Sequence, residues 1–97
     1  MKVVWSPRAI RHLTALRGYI EAENNPKAAA GVVSKILESV DRLVSQPHSG
    51  RPGRLAGTRE LVVPGTPYVI PYRVRAGRLD LIAVFHGKQK WPSGSNL

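Results

Sequence analysis

Arg59, Arg73, Arg75, Arg78, His86, Lys88 and Lys90 crowd the second half of the chain, with Tyr68, Tyr72 and Trp91 among them. Cations interleaved with aromatics are a means of holding single-stranded RNA, phosphates pairing with the charges and bases stacking on the rings. Arg or Lys beside His or Tyr also suits metal-free RNA cleavage. The cations would stabilise the phosphorane-like state and His would act as acid or base. Plainer roles compete for each residue: His86 as a strand-end histidine, Tyr68 and Tyr72 as core. Trp91 either packs back on the domain or docks to a partner.

Other chemistries lack their residues. His12, His48 and His86 show no zinc-like spacing and the chain has no cysteine, so neither a metal site nor a thiolate nucleophile is expected. The Gly50-Arg51-Pro52-Gly53 stretch precedes no helix, which excludes a Walker-type or dinucleotide loop and leaves no cofactor implied. No serine sits in a nucleophile elbow. Glu21, Glu23, Glu38 and Asp41 fall on helical stretches where solvated ion pairing explains them.

Ninety-seven residues make one small domain with one modest core. Fifteen Lys and Arg against six Asp and Glu give a formal +9, and eight of those bases but two of the acids lie in residues 51–97. An acidic partner is expected: a nucleic acid, a nucleoprotein enzyme, or an acidic protein that masks the charge. No run approaches the roughly 18 apolar residues of a membrane span. The N-terminus has no signal-peptide pattern, and the lack of cysteine suits a reducing cytoplasm.

The elements that must position these groups are legible from punctuation and period. Ser6-Pro7 after Val3-Val4-Trp5 predicts a short strand and then a helix to about Glu23, with Ala9, Leu13, Leu16 and Ile20 on one face. Asn25-Pro26 predicts a second helix to about Ser45, antiparallel to the first, with Gly18 and Ala28-Ala29-Ala30-Gly31 permitting close approach. After the Pro/Gly-rich loop at 46–53 the period becomes two. Strands are predicted at 59–63, at 68–75 with Tyr68, Ile70, Tyr72 and Val74 on one face, and at 79–85, apolar on both faces and so central. Pro71 predicts poor pairing on one side there, and Ala76-Gly77 a tight hairpin turn. The expected fold is α+β, in the order β-α-α-β-β-β, a helical hairpin on one antiparallel sheet. It forms a single domain over 1–97, ordered over about 2–92 with 93–97 as a tail.

A chain of this order with "WSPRA" opening the first helix, "GRP" after the second, "REL" opening the next strand, then "YVIPYRV" and "HGKQKWP", resembles the ParE branch of the ParE/RelE toxin superfamily over residues 2–92. The resemblance implies a bacterial type II toxin in a hetero-oligomer with a ParD-like antitoxin, whose acidic C-terminal segment would lie along the toxin. RelE-like members cut messenger RNA in the ribosome, whereas ParE-like members resemble inhibitors of DNA gyrase. RelE-like ribonucleases have an Arg just after the first Tyr of the strand at 68–75, another shortly after Gly87, and a Tyr near the C-terminus. Here these positions read Val69 and Gln89, and no Tyr follows Tyr72. Gyrase is therefore the expected target and no catalytic residue is expected. In the runner-up, a ribonuclease, Arg73 and His86 would take over. His86, Lys88, Lys90 and Trp91 are expected at the target. Leu13, Leu16, Tyr68 and Tyr72 are expected at the antitoxin, with Arg54, Arg59 and Arg73 pairing its acids. A nucleic-acid-binding module without toxicity, and a diverged toxin that only binds its antitoxin, remain alternatives.

Overall fold

The computed structural model describes residues 1–89 and 91. Its elements are β1 (Lys2–Trp5), α1 (Pro7–Glu23), α2 (Pro26–Ser45), β2 (Arg51–Pro52), β3 (Arg59–Val62), β4 (Tyr68–Arg75), β5 (Arg78–Leu81) and β6 (Phe85–His86). Both helices start as their punctuation dictates. Ser6 and Asn25 sit in extended backbone, and their side-chain oxygens accept from the Ala9 and Ala28 amides, satisfying donors that a first helical turn leaves open.

The sheet runs β1-β5-β4-β3-β2, with β6 beside β4. The expected all-antiparallel sheet is corrected in one place: β1 runs parallel to β5, pairing Lys2 with Arg78 and Trp5 with Leu81, so the sheet is mixed. The long connection through α1 and α2 makes this possible, because a parallel pair needs a crossover that hairpins cannot supply. The β4–β5 hairpin turns at Ala76 and Gly77, both with positive φ, as a two-residue primed turn requires. One core fills the space between helices and sheet. Ala9, Leu16, Ile20, Ala29, Ile36, Val40 and Leu43 meet Ile70, Tyr72, Leu79 and Leu81 there. The expected role of Gly18 and Gly31 is also corrected. Both are exposed with open space where a Cβ would stand, and the fully buried small residue on α2 is Ala29.

The strand expected at 79–85 is broken. β5 pairs with β4 as far as Leu81 opposite Tyr72, and pairing resumes in β6 with Phe85 opposite Val69. Residues 82, 83 and 84 thus oppose only 70 and 71, a one-residue bulge. Pro71 explains its position. Its carbonyl accepts from the Ile82 amide at 2.9 Å, so its nitrogen faces the same neighbour and has no hydrogen to give. Three other bonds hold the bulge. The Ser6 amide donates to Leu81 O (3.1 Å), the Ser6 hydroxyl to Ile82 O (2.7 Å), and the Val84 amide to His12 Nδ1 (3.1 Å).

Candidate functional site

The bulge decides which face each late side chain occupies. Leu79 and Leu81 point to the helices, as does Val84, whereas Ile82, Ala83 and Phe85 form a second, smaller cluster. Unbroken alternation from Asp80 would set His86 on the face of Arg73; the extra residue reverses it. His86 lies opposite Tyr68, its ring edge-on to the phenol with centroids 5.8 Å apart, while Arg73 lies opposite Asp80 on the other face. They are also five residues apart along β4, about 16 Å. Arg73 and His86, the pair named for a ribonuclease, therefore lie on opposite faces of the sheet.

On the face away from the helices, Trp91 packs back against Phe85, ring centroids 4.6 Å apart, and the Arg54 guanidinium covers it at 3.7 Å. Its indole Nε1 is buried without a hydrogen-bond partner among the described residues. Arg54 is held in turn by Glu60, a strand acid only 2% exposed. Glu60 Oε1 accepts two bonds from Arg51, at 3.0 and 2.9 Å; Oε2 accepts from the Arg54 amide at 2.9 Å, with Arg54 Nε 3.5 Å away. One carboxylate thus ties the 51–54 segment to β3 and, through Arg54, to the end of the chain.

Between β6 and Trp91 the chain makes a self-tied turn. The His86 amide donates to Gln89 Oε1, the Lys88 amide to His86 Nδ1, the Gln89 amide to His86 O, and the Gly87 amide to Pro67 O at 2.7 Å. Gly87, Lys88 and Gln89 are exposed. Of the residues expected at a target, the structure brings His86 and Lys88 together in this turn and sets Trp91 on the sheet. Lys90 and the expected tail at 93–97 lie outside the described residues.

The residues expected at the antitoxin divide differently. Leu16, Tyr68 and Tyr72 belong to the core. Tyr72 is wholly enclosed, its hydroxyl donating to Pro47 O at 2.8 Å and accepting from the Gly50 amide at 3.0 Å. Burial raises the Tyr72 hydroxyl above the ordinary tyrosine range, against smaller opposing effects of Gly50 and Arg59. These three side chains hold the fold, so they offer a partner little surface. Leu13 is half-buried, Arg59 donates to Gly50 O at 2.9 Å, and Arg54 is engaged as above. The helices, expected to meet the antitoxin through Leu13 and Leu16, expose apolar residues that the sequence did not single out: Ile10, Tyr19 and Leu37 are about half exposed or more. Ala30, Val33 and Leu37 line a groove of about 320 Å³ beside Arg17, which pairs with Glu21.

Arg73 lines a second groove, of about 540 Å³, with Arg8, Arg11 and Arg75. Its one acid, Asp80, is held by Arg78 at 3.2 Å and Arg75 at 3.5 Å, and the Arg78 bond is the main reason its carboxyl lies below the ordinary range. Close by, burial and then the charges of Arg8 and Arg11 lower the pKa of His12. No group of three or more metal-ligating side chains occurs among the described residues, and no helix is long and apolar enough to cross a membrane.

Two helices packed on a mixed six-stranded sheet are the architecture of a small toxin of the ParE/RelE superfamily. The family described as "ParE toxin of type II toxin-antitoxin system, parDE" matches residues 3–91, and the chain belongs to it. It is 45% identical over 91 residues to "Putative toxin Y4kP" of Sinorhizobium fredii, covering 94% of this chain and 93% of that one. It is 39% identical over 85 residues to "Toxin RelE2" of Caulobacter vibrioides, covering 88% and 93%. The fold superposes on a chain of the "Chromosomal ParDE TA system from P. aeruginosa" with a TM-score of 0.81 at 26% identity, covering 89% and 95%. The protein is thus a type II toxin with an antitoxin partner.

Proposed function

We propose that the toxin acts by inhibiting DNA gyrase in the cytoplasm and that the turn at 86–89, anchored by Trp91, is its contact with the target. The observation that carries this reading is the character of the sheet face where ribonuclease relatives place their cations. Val69 is buried there, Phe85 and Trp91 close over the same face, and Gln89 is spent on the His86 amide. Val69, Phe85 and Trp91 leave this end of the face apolar, with Arg54 already engaged by Glu60 and the Trp91 ring, so little there can stabilise the charge that develops during phosphodiester cleavage. Arg73 and His86, divided between the two faces, do not substitute for those cations.

The antitoxin, in this reading, lays apolar side chains into the helical groove at Ala30, Val33 and Leu37 and extends toward Leu13 and Ile10. Leu37→Asp should abolish complex formation with the antitoxin while leaving the fold intact, because Leu37 is 47% exposed. The test of the target is a supercoiling assay with purified toxin. Inhibition with trapped DNA breaks by the native chain, weakened by Lys88→Gln/Trp91→Ala, is expected. No inhibition, together with ribosome-dependent cleavage of messenger RNA, would overturn the reading in favour of the endonuclease that the name of the Caulobacter relative suggests.

A further inference from the structure

The groove beside the start of α1 has no part in the gyrase contact proposed above. Arg8 and Arg11 stand on the first turns of the helix, and Arg73 and Arg75 alternate along β4, so four guanidiniums line one cavity of about 540 Å³. Asp80, the one acid there, is already shared by Arg75 and Arg78. Among the described residues, no carboxylate pairs with Arg11 or Arg73. Arg75 and Arg78 face each other directly across β4 and β5, an unfavourable like-charge pair that Asp80 alone offsets. Arg11, Arg73, Arg75 and Arg78 against one aspartate is an excess of positive charge that an anion would relieve.

The lining indicates which anion. An acidic peptide docks through apolar anchors as well as charge, and the apolar side chains here offer little to grip: Leu81 is wholly buried, Ile82 nearly so and Val4 half-buried, which leaves Pro7 exposed. No aromatic side chain lines the groove, so bases have nothing to stack on. Guanidinium forks without stacking platforms, and with no large apolar side chain exposed between them, suit phosphate, which they bind in bidentate fashion. We propose that the Arg8, Arg11, Arg73 and Arg75 groove binds the phosphodiester backbone of a nucleic acid without regard to sequence. This assigns Arg73 a role different from the antitoxin contact expected from the sequence. It goes beyond the gyrase reading and does not depend on it, since naked nucleic acid is the ligand.

The test is fluorescence anisotropy of the full chain with a labelled 12-base-pair DNA duplex and, separately, a labelled 12-nucleotide RNA, across a range of salt. The variants are Arg11→Gln/Arg73→Gln and a charge-matched control on α2, Lys27→Gln/Lys35→Gln. The groove variant is expected to bind at least about tenfold more weakly, with a slope of log K against log salt shallower by about 2, one per lost phosphate contact. The control should stay within about threefold of wild type, and Arg11→Lys/Arg73→Lys should keep the salt slope, which separates lost contact from lost structure. Groove-dependent binding of the duplex, the RNA or both supports the proposal and identifies its source. Equal losses in the groove and control variants would mean diffuse charge and would overturn it. So would absence of binding at low salt, or groove-dependent binding of a hexaglutamate peptide alone.

Discussion

The two faces of the sheet are held by different physics. Toward the helices, Ile70, Tyr72, Leu79 and Leu81 are fully buried beneath Ile36 and Leu43, and stability there comes from apolar area removed from water. On the other face a buried Glu60 orders Arg51 and Arg54, Trp91 covers Phe85, and Arg73, Arg75 and Arg78 gather around Asp80. The first face tolerates no change of volume. The second is a surface whose order depends on single charges and on one tryptophan, which leaves it able to change partners.

The difference can be broken most severely at the bulge. Deleting Ala83 would remove the bulge while leaving Phe85 opposite Val69 and His86 opposite Tyr68, and it would disrupt the bonds that Ser6 and His12 make to the bulge. A loss of about 4 kcal/mol or more is expected, or failure to fold cooperatively, read by urea unfolding. A deletion variant as stable as wild type would show that the bulge and its bonds to Ser6 and His12 do not hold this part of the sheet. Leu81→Ala on the helix face should cost about 2 to 5 kcal/mol in the same experiment. Glu60→Gln on the outer face should cost less, about 1.5 to 2 kcal/mol, because Arg51 and Arg54 are half exposed and water takes over their charge. It should also change the near-UV circular dichroism as Arg54 loosens from the Trp91 ring. Tyr72→Phe, which leaves the Gly50 amide without its acceptor, should cost about 1 kcal/mol.

The smallest effect concerns His12, whose ring joins the helix to the bulge. Burial, then Arg8 and Arg11, holds its pKa below the ordinary value, and Nδ1 accepts the Val84 amide only while unprotonated. Below about pH 6.5 the unfolded chain takes up this proton before the folded one does, so stability falls as pH falls toward the lowered value and then levels. His12→Gln should remove this part of the pH slope. An unchanged slope between pH 7 and pH 5 would show that the ring is not held neutral.

Much of this architecture was legible because local chemistry dictates it. Ser6-Pro7, Asn25-Pro26 and Ala76-Gly77 each specify a cap or turn within a few residues, and the period of two over Tyr68 to Val74 named the core face correctly. The parallel pairing of β1 was not legible, since strand direction there depends on where two helices return the chain. Pro71 marked the weak point of the ladder, yet its consequence lay on the partner strand, where 82–84 read as continuous apolar sequence. The candidate site suffered from that one residue, because a pairing of Arg73 with His86 is natural only if alternation is unbroken. Glu60 looked like any strand acid; only its enclosure by Arg51 and Arg54 gives it a role.

The contact between Ser6 and Ile82 spans 76 positions of sequence, and β1 has no other strand beside it. Synthesis at 5 to 20 residues per second therefore separates completion of the second helix at Ser45 from completion of β5 at Leu81 by roughly 2 to 7 s. During that interval the nascent chain has its helices but not the sheet that carries Arg73, the 86–89 turn and Trp91. The surface proposed to meet the target therefore forms after the helical groove proposed for the antitoxin.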